Sequence, residues 1–143
     1  MTMRTLRTIA AVVLMLGFVV GSTYGQWGAP KMKVTVPFQF SIGRTTLSAG
    51  QYLITSLNDR VLVQEVGGRN NALTFTGRLD GKVSEQNSRA IFDCYFGECF
   101  LSQVWFSGQE AGHTLPQSKR QIQLAKTSTG QQFALLGTTK PQS

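Results

Sequence analysis

Two cysteines, one histidine and seven carboxylates are the side chains in this sequence best suited to covalent, metal or acid–base chemistry. Cys94 and Cys99 flank Tyr95-Phe96-Gly97-Glu98. Strand-forming residues run up to Cys94 and away from Cys99, and Gly97 supplies a turn, so a four-residue hairpin loop would set the two cysteines opposite each other. Opposed residues of antiparallel strands bring their β-carbons within reach of an S–S bond, best at a non-hydrogen-bonded pair. Structural zinc wants four ligands, and these two thiols have neither a histidine nor a further cysteine beside them. The spacing is not the Cys-x-x-Cys of a redox pair. Cys94 and Cys99 are therefore expected to form a disulfide that pins a hairpin, contributing about 2 kcal/mol for so short a loop.

The other reactive groups are poorly arranged for catalysis. His113 falls in Gly112-His113-Thr114, read as a loop, where a lone histidine is expected to be a solvated polar residue. A general base would need a nucleophile and an acid partner that the sequence does not place. Its solitude also excludes a multi-histidine metal site. Asp59, Asp80 and Glu98 sit at turns, while Glu65 and Asp93 fall on strands and are expected to point outward. No spacing singles out two carboxyls for the ~5–10 Å separation of a glycosidase pair. Gly-x-Ser-x-Gly, His-Glu-x-x-His and a phosphate-cradling glycine loop before a helix are all missing. The sequence predicts no enzyme, no metal and no cofactor.

Recognition is the chemistry that remains. Phe96 belongs to the hairpin tip, and Lys119-Arg120 open a short helix, so these three are the candidate interaction surface. Trp105 and Phe106 occupy consecutive strand positions and must face opposite sides, so one points away from the core unless both faces are covered. The leading expectation is a non-catalytic envelope or extracellular interaction protein whose partner is another protein or an anionic envelope polymer. The alternative is a β-barrel carrier holding an apolar ligand among Phe38, Phe40, Tyr52, Phe75 and Trp105.

Strands must position these groups. Met32, Val34, Val36, Phe38 and Phe40 alternate with polar residues as in a half-buried strand, and Pro37 marks a sheet edge or bulge. Gln51–Leu57, Arg60–Val66 and Ala72–Thr76 read as further strands, the last with Leu73 and Phe75 on one face. Asn58-Asp59, Gly67-Gly68 and Asp80-Gly81 supply turns. Arg89–Tyr95 and Cys99–Phe106 form the stapled hairpin; its register pairs Phe92 with Leu101 and Ala90 with Gln103, and Trp105 continues that face. Ser118 caps a helix over Lys119–Lys126 whose apolar positions are Ile122 and Leu124-Ala125. So short a helix must dock on the sheet. Phe133–Leu136 adds a last strand or buried tail, and Thr138–Ser143 reads as disordered. The fold class is all-β: a single antiparallel β-sandwich or barrel with one short C-terminal helix.

The first residues carry an address. Arg4 and Arg7 precede the uncharged apolar run Ile9–Val20, and Gly21–Gly25 follow as small and turn-forming residues. That order is a secretory signal peptide over residues 1–25, cut before Gln26; left uncut it would serve as an N-terminal anchor. Twelve residues reach only ~18 Å as a helix, well short of the ~30 Å membrane core. No transmembrane span is expected after cleavage, and residues 26–143 form one β-rich domain. Removing Arg4 and Arg7 lowers the formal charge from +7 to +5. That excess suits anionic envelope polymers or lipid headgroups, and it equally keeps a small domain soluble. Scattered cations and export both argue against nucleic acid. The expected location is the periplasm or the cell exterior.

Three segments carry a likeness: Val36–Gly43 with Leu47–Gly50 and Tyr52, then Phe100–Trp105, then Leu115–Arg120 with Leu124–Lys126. In them the chain resembles uncharacterised small secreted β-rich bacterial proteins common in acidobacteria, a family without an assigned function. The resemblance implies an exported β-domain and no activity. The chain departs from the pattern at Ser48, where proline is usual, and at Gln121 and Gln123, where acidic residues are frequent. The cysteine pair is not a feature of that family.

Overall fold

The apolar alternation that starts at Met32 runs on past Pro37, but the hydrogen-bonded ladder stops short of it. In the computed structural model, which describes residues 28–81 and 87–139, β1 (Lys31–Val36) ends just before Pro37 and β2 (Phe40–Ile42) starts in a different sheet. Proline has no N–H to give a ladder. The chain therefore crosses between layers at this point, keeping Val34, Val36, Phe40 and Ile42 buried. One expected strand is two short ones, on opposite sides of a shared core.

The remaining strands are β3 (Thr45–Leu47), β4 (Gly50–Ser56), β5 (Arg60–Glu65), β6 (Asn71–Phe75), β7 (Gly77–Asp80), β8 (Arg89–Tyr95), β9 (Glu98–Trp105), β10 (Ala111–Thr114) and β11 (Gln131–Leu136). Among the described residues one helix, α1, covers Lys119–Thr127. Among the described residues a four-stranded sheet runs β1-β4-β5-β6, and a seven-stranded sheet runs β11-β8-β9-β10-β7 with β2 and β3 added beside β9. Neither closes into a barrel, so the fold is a sandwich. The β2–β9 pairing is parallel, which corrects the expectation of antiparallel pairing throughout. It is parallel because β2 arrives by a crossover and not by a hairpin. The signal-peptide segment lies outside the described residues.

Both sheets fill one core. Met32, Val34, Tyr52, Ile54, Val61 and Val63 come from the four-stranded sheet and meet Phe40, Phe92, Leu101, Val104 and Phe106. The Phe40 ring stands edge-on to Tyr52 at 5.1 Å and to Phe92 at 5.3 Å, and Phe38 meets Phe92 at 5.2 Å. Edge-to-face contacts of this kind add about 0.5–1.5 kcal/mol each beyond the area they bury. Burial holds the Tyr52 phenol above its ordinary pKa, and its hydroxyl donates to the Ser48 carbonyl. A backbone carbonyl accepts here, so the serine at this position keeps a contact that proline would also provide.

The stapled hairpin is partly as expected. Cys94 pairs with Cys99 and Phe92 with Leu101. Tyr95 pairs with Glu98, so the turn has two central residues, Phe96 and Gly97, and not four. Ala90 faces Val104, not Gln103, because a bulge intervenes between Ile91 and Phe92. An extra residue on one strand re-phases everything beyond it. Leu101 and Val104 therefore both point inward despite odd spacing, and Trp105 is turned to the outer face while Phe106 enters the core. The indole lies over Gly112 and Gly81, where an added β-carbon would come within 2.6 and 2.3 Å of ring atoms. Arg89 stacks on its ring at 5.1 Å.

Leu73 and Phe75 share one face of β6, as expected; it is the outer one, and Ala72 takes the inner side. Two further expectations are corrected. In α1 the buried residues are Gln121 and Leu124, leaving Ile122 exposed. Thr138 is no loose tail: its backbone exchanges hydrogen bonds with Lys33 at 2.8 and 3.0 Å, tying the end of β11 to β1, while residues 140–143 lie outside the described residues.

Candidate functional site

The hairpin tip is built by local geometry. Phe96 has φ of 50° and Gly97 φ of 80°, the two left-handed positions of a tight turn that matches strand twist. Glycine adopts this freely, whereas a bulky side chain pays about 1–2 kcal/mol. Phe96 is also 74% exposed, so it recovers little of that by burial. Immediately behind the tip, the Cys94–Cys99 disulfide closes a pair whose Cα atoms are 4.0 Å apart.

The helix is fastened to this tip. The Ser118 hydroxyl accepts from the Gln121 N–H at 3.2 Å, capping α1 as its sequence predicts. Leu124 packs with Tyr95 and Phe100 on the outer face of the hairpin. Glu98, the residue after the turn, accepts from Arg120 Nε at 3.0 Å and Nη2 at 2.8 Å, a two-bond fork. The Arg120 hydrogen bonds hold the Glu98 carboxyl below its ordinary pKa, and the same bonds raise that of Arg120. Of the three candidate contact residues, Arg120 is thus engaged in positioning the helix.

Between the β2–β3 ribbon, the tip and the start of α1 lies an open cleft of about 900 Å³. Lys119 and Arg120 line it together with Arg44 from the β2–β3 turn, a cation about seventy-five residues away in the sequence. Glu98 is the carboxylate on its wall, and Gln39, Gln117, Ser41 and Thr46 add neutral polar groups. Phe96 lies on the other side of the turn, in a depression of about 500 Å³ shared with Phe38, Phe133, the disulfide and the polar residues Ser128, Thr129 and Gln131. Gly97 borders both. The structure brings the candidate residues to two sides of one rigid turn. Arg44 could be joined to them only by knowing that β2 lies beside β9, a pairing without a local sequence signal.

His113 is not in a loop. It lies on β10, where Nε2 meets Ser56 Oγ at 2.8 Å and Nδ1 meets Thr76 Oγ1 at 2.8 Å. Ser56 ends β4 in the four-stranded sheet and Thr76 links β6 to β7, so the imidazole ties the two layers together. The Phe106 ring stands edge-on to it at 5.8 Å. A serine hydroxyl at this distance has the spacing of a nucleophile and base. The group beyond Nδ1 is a hydroxyl, however, where a carboxylate would be needed to stabilise an imidazolium. Burial moreover lowers the His113 pKa. The arrangement works as an inter-sheet tie.

Three further carboxylates have separate partners. Glu65 accepts from Asn70 at 2.9 Å, Asp80 pairs with Arg78 at 2.9 Å, and Asp59 pairs with Arg60 at 3.5 Å. No three of histidine, cysteine, aspartate and glutamate gather as a metal-holding group among the described residues. The aromatic residues considered for a carrier cavity do not converge: Phe40 and Tyr52 pack against each other, while Phe75 and Trp105 face outward from different sheets. Comparison of the chain with protein-family models, curated proteins and solved structures gave no match.

Proposed function

We propose that this protein is a non-catalytic exported binding module, akin to the small secreted bacterial β-proteins it resembles, and that its cleft holds an anionic partner. The partner is an acidic protein segment or an anionic envelope polymer. The observation that carries this reading is the cleft itself: Arg44 and Lys119 line it beside Arg120, whose charge Glu98 already engages. Its walls are held by a disulfide, a helix cap and a two-bond ion pair, so little order remains to be gained on binding. Phe96 adds an exposed ring to the same turn.

Export is supported by the leader pattern of residues 1–25 and by a disulfide, a bond that persists in oxidising compartments. No described helix is long and apolar enough to cross a membrane. The periplasm or the cell exterior is the location this reading assigns.

Titration calorimetry of the exported protein with polyglutamate and with polyphosphate tests the site. Binding to at least one, weakening with added salt, is the expected result. An Arg44→Gln, Lys119→Gln variant that stays folded should lose it, and Phe96→Ala should weaken it. Unchanged binding in the Arg44→Gln, Lys119→Gln variant would remove the cleft from the proposal, and failure of the wild type with both probes would remove the anionic partner.

A further inference from the structure

The outer face of the four-stranded sheet can be read row by row. One row across the ladder is Lys31, Thr55, Leu62, Leu73; the next is Lys33, Leu53, Gln64, Asn71; at the far corner Arg60 pairs with Phe75. Leu73 is 54% and Phe75 65% exposed, and Leu53 and Leu62 are half-buried between them and the lysines. The outward strand positions carry three cations and no carboxylate. Asp59, in the adjoining turn, pairs with Arg60 at 3.5 Å. Arg60 lays its guanidinium over the Phe75 ring at 5.2 Å, so cation and apolar surface form one feature.

We propose that this face docks on an anionic lipid bilayer. Charge complementarity selects the occupant. A second copy related by two-fold symmetry would bring one net-positive patch against another, with Lys31 and Lys33 of each copy offset by no carboxylate from the strands and only Arg60 already paired, with Asp59. An anionic polymer would satisfy the cations but give Leu73 and Phe75 nothing apolar to enter. A bilayer with acidic headgroups satisfies both, taking the ring and the leucine into its interfacial layer while the lysines reach phosphates. The proposal stands apart from the cleft, because none of these residues lines it.

The test is co-sedimentation of the exported protein, its leader removal checked by mass, with vesicles of phosphatidylglycerol and phosphatidylcholine and with phosphatidylcholine alone. Binding to the anionic vesicles only is expected. Each lysine replaced, in Lys31→Gln and Lys33→Gln, should lower the partition coefficient about fivefold. Phe75→Ser should lower it about tenfold. The Arg44→Gln, Lys119→Gln cleft variant should bind vesicles as the wild type does, which separates failure of this proposal from failure of the cleft reading. Equal binding to neutral vesicles, or insensitivity to the Lys31, Lys33 and Phe75 changes, would overturn it. So would a dimer in sedimentation velocity that Phe75→Ser dissolves, or polyphosphate binding that is lost in the Lys31 and Lys33 variants.

Discussion

The seven-stranded sheet turns Tyr95 and Phe100 outward and buries them under α1, whereas the four-stranded sheet turns Leu73 and Phe75 outward and leaves both more than half exposed. Both faces thus carry apolar side chains, but among the described residues only one has a cover. That cover is nine residues long, too short to persist alone, and it is retained by the Ser118 cap, the Glu98–Arg120 pair and the Leu124 contact. Outward apolar residues on a strand therefore do not by themselves call up a covering element. What distinguishes the two faces is the set of tethers, and the four-stranded sheet has no helix tied to its outer side among the described residues.

The largest expected effect breaks this comparison directly. Phe100→Ala should cost about 3–5 kcal/mol, since it opens a cavity beneath the helix. Phe75→Ala should change stability by no more than about 0.5 kcal/mol, as exposed substitutions do. Urea denaturation of both variants with a common slope measures the contrast. Similar losses would mean that the four-stranded sheet is covered in solution after all, by a second copy or by part of the chain outside the described residues.

A second test compares the two seams where the sheets meet. At one, backbone hydrogen bonds join Lys33 to Thr138; at the other, His113 joins Ser56 to Thr76. Only the second seam can titrate. Burial lowers the His113 pKa below its ordinary 6.5, so the unfolded chain takes up the proton first as pH falls. Its contribution is whole above pH 6.5, declines below it, and levels off once the folded-state pKa is passed. Glu98, whose pKa is lowered from 4.5, adds a separate loss only at more acid pH, as its folded form is protonated. His113→Gln should cost about 1–2 kcal/mol near neutral pH through the lost hydrogen bonds, and should flatten the limb that begins near 6.5. Stability that rises as the wild type is acidified through this range would reverse the assignment.

These contrasts also separate what the sequence can say from what it cannot. The staple, the Ser118 cap, the turn at Gly67 and most strand bodies follow from local chemistry, because each depends on neighbours within a few residues. The bulge in β9 does not, since Ser102-Gln103 carries no mark of an extra residue, and it alone reverses the expected directions of Trp105 and Gln103. β7 and β10 are equally silent. Gly77–Asp80 and Ala111–Thr114 are four-residue strands without apolar alternation, stabilised by pairing with each other beneath Trp105. That is why His113 reads as a loop residue until the partner strand is known. The cleft depends on a parallel pairing of β2 with β9, residues nearly sixty apart, and of its cations only Lys119 and Arg120 are neighbours in the sequence.

The smallest expected effect sharpens the comparison at the tip itself. Phe96 holds a left-handed backbone with its ring in solvent, so stability alone would favour a different residue there. Asparagine tolerates that conformation and is favoured beside glycine in such turns. Phe96→Asn should therefore stabilise the fold by about 1 kcal/mol, seen as a higher urea midpoint with an unchanged slope. The same variant should bind polyglutamate or polyphosphate less tightly, because it removes the exposed ring. Opposite signs in the two measurements would identify Phe96 as a residue kept for contact at a cost to the hairpin. A variant both less stable and unaltered in binding would instead make the ring a packing group of the Phe38–Phe133 depression, and would leave Arg44 and Lys119 to carry recognition from the other side of the turn.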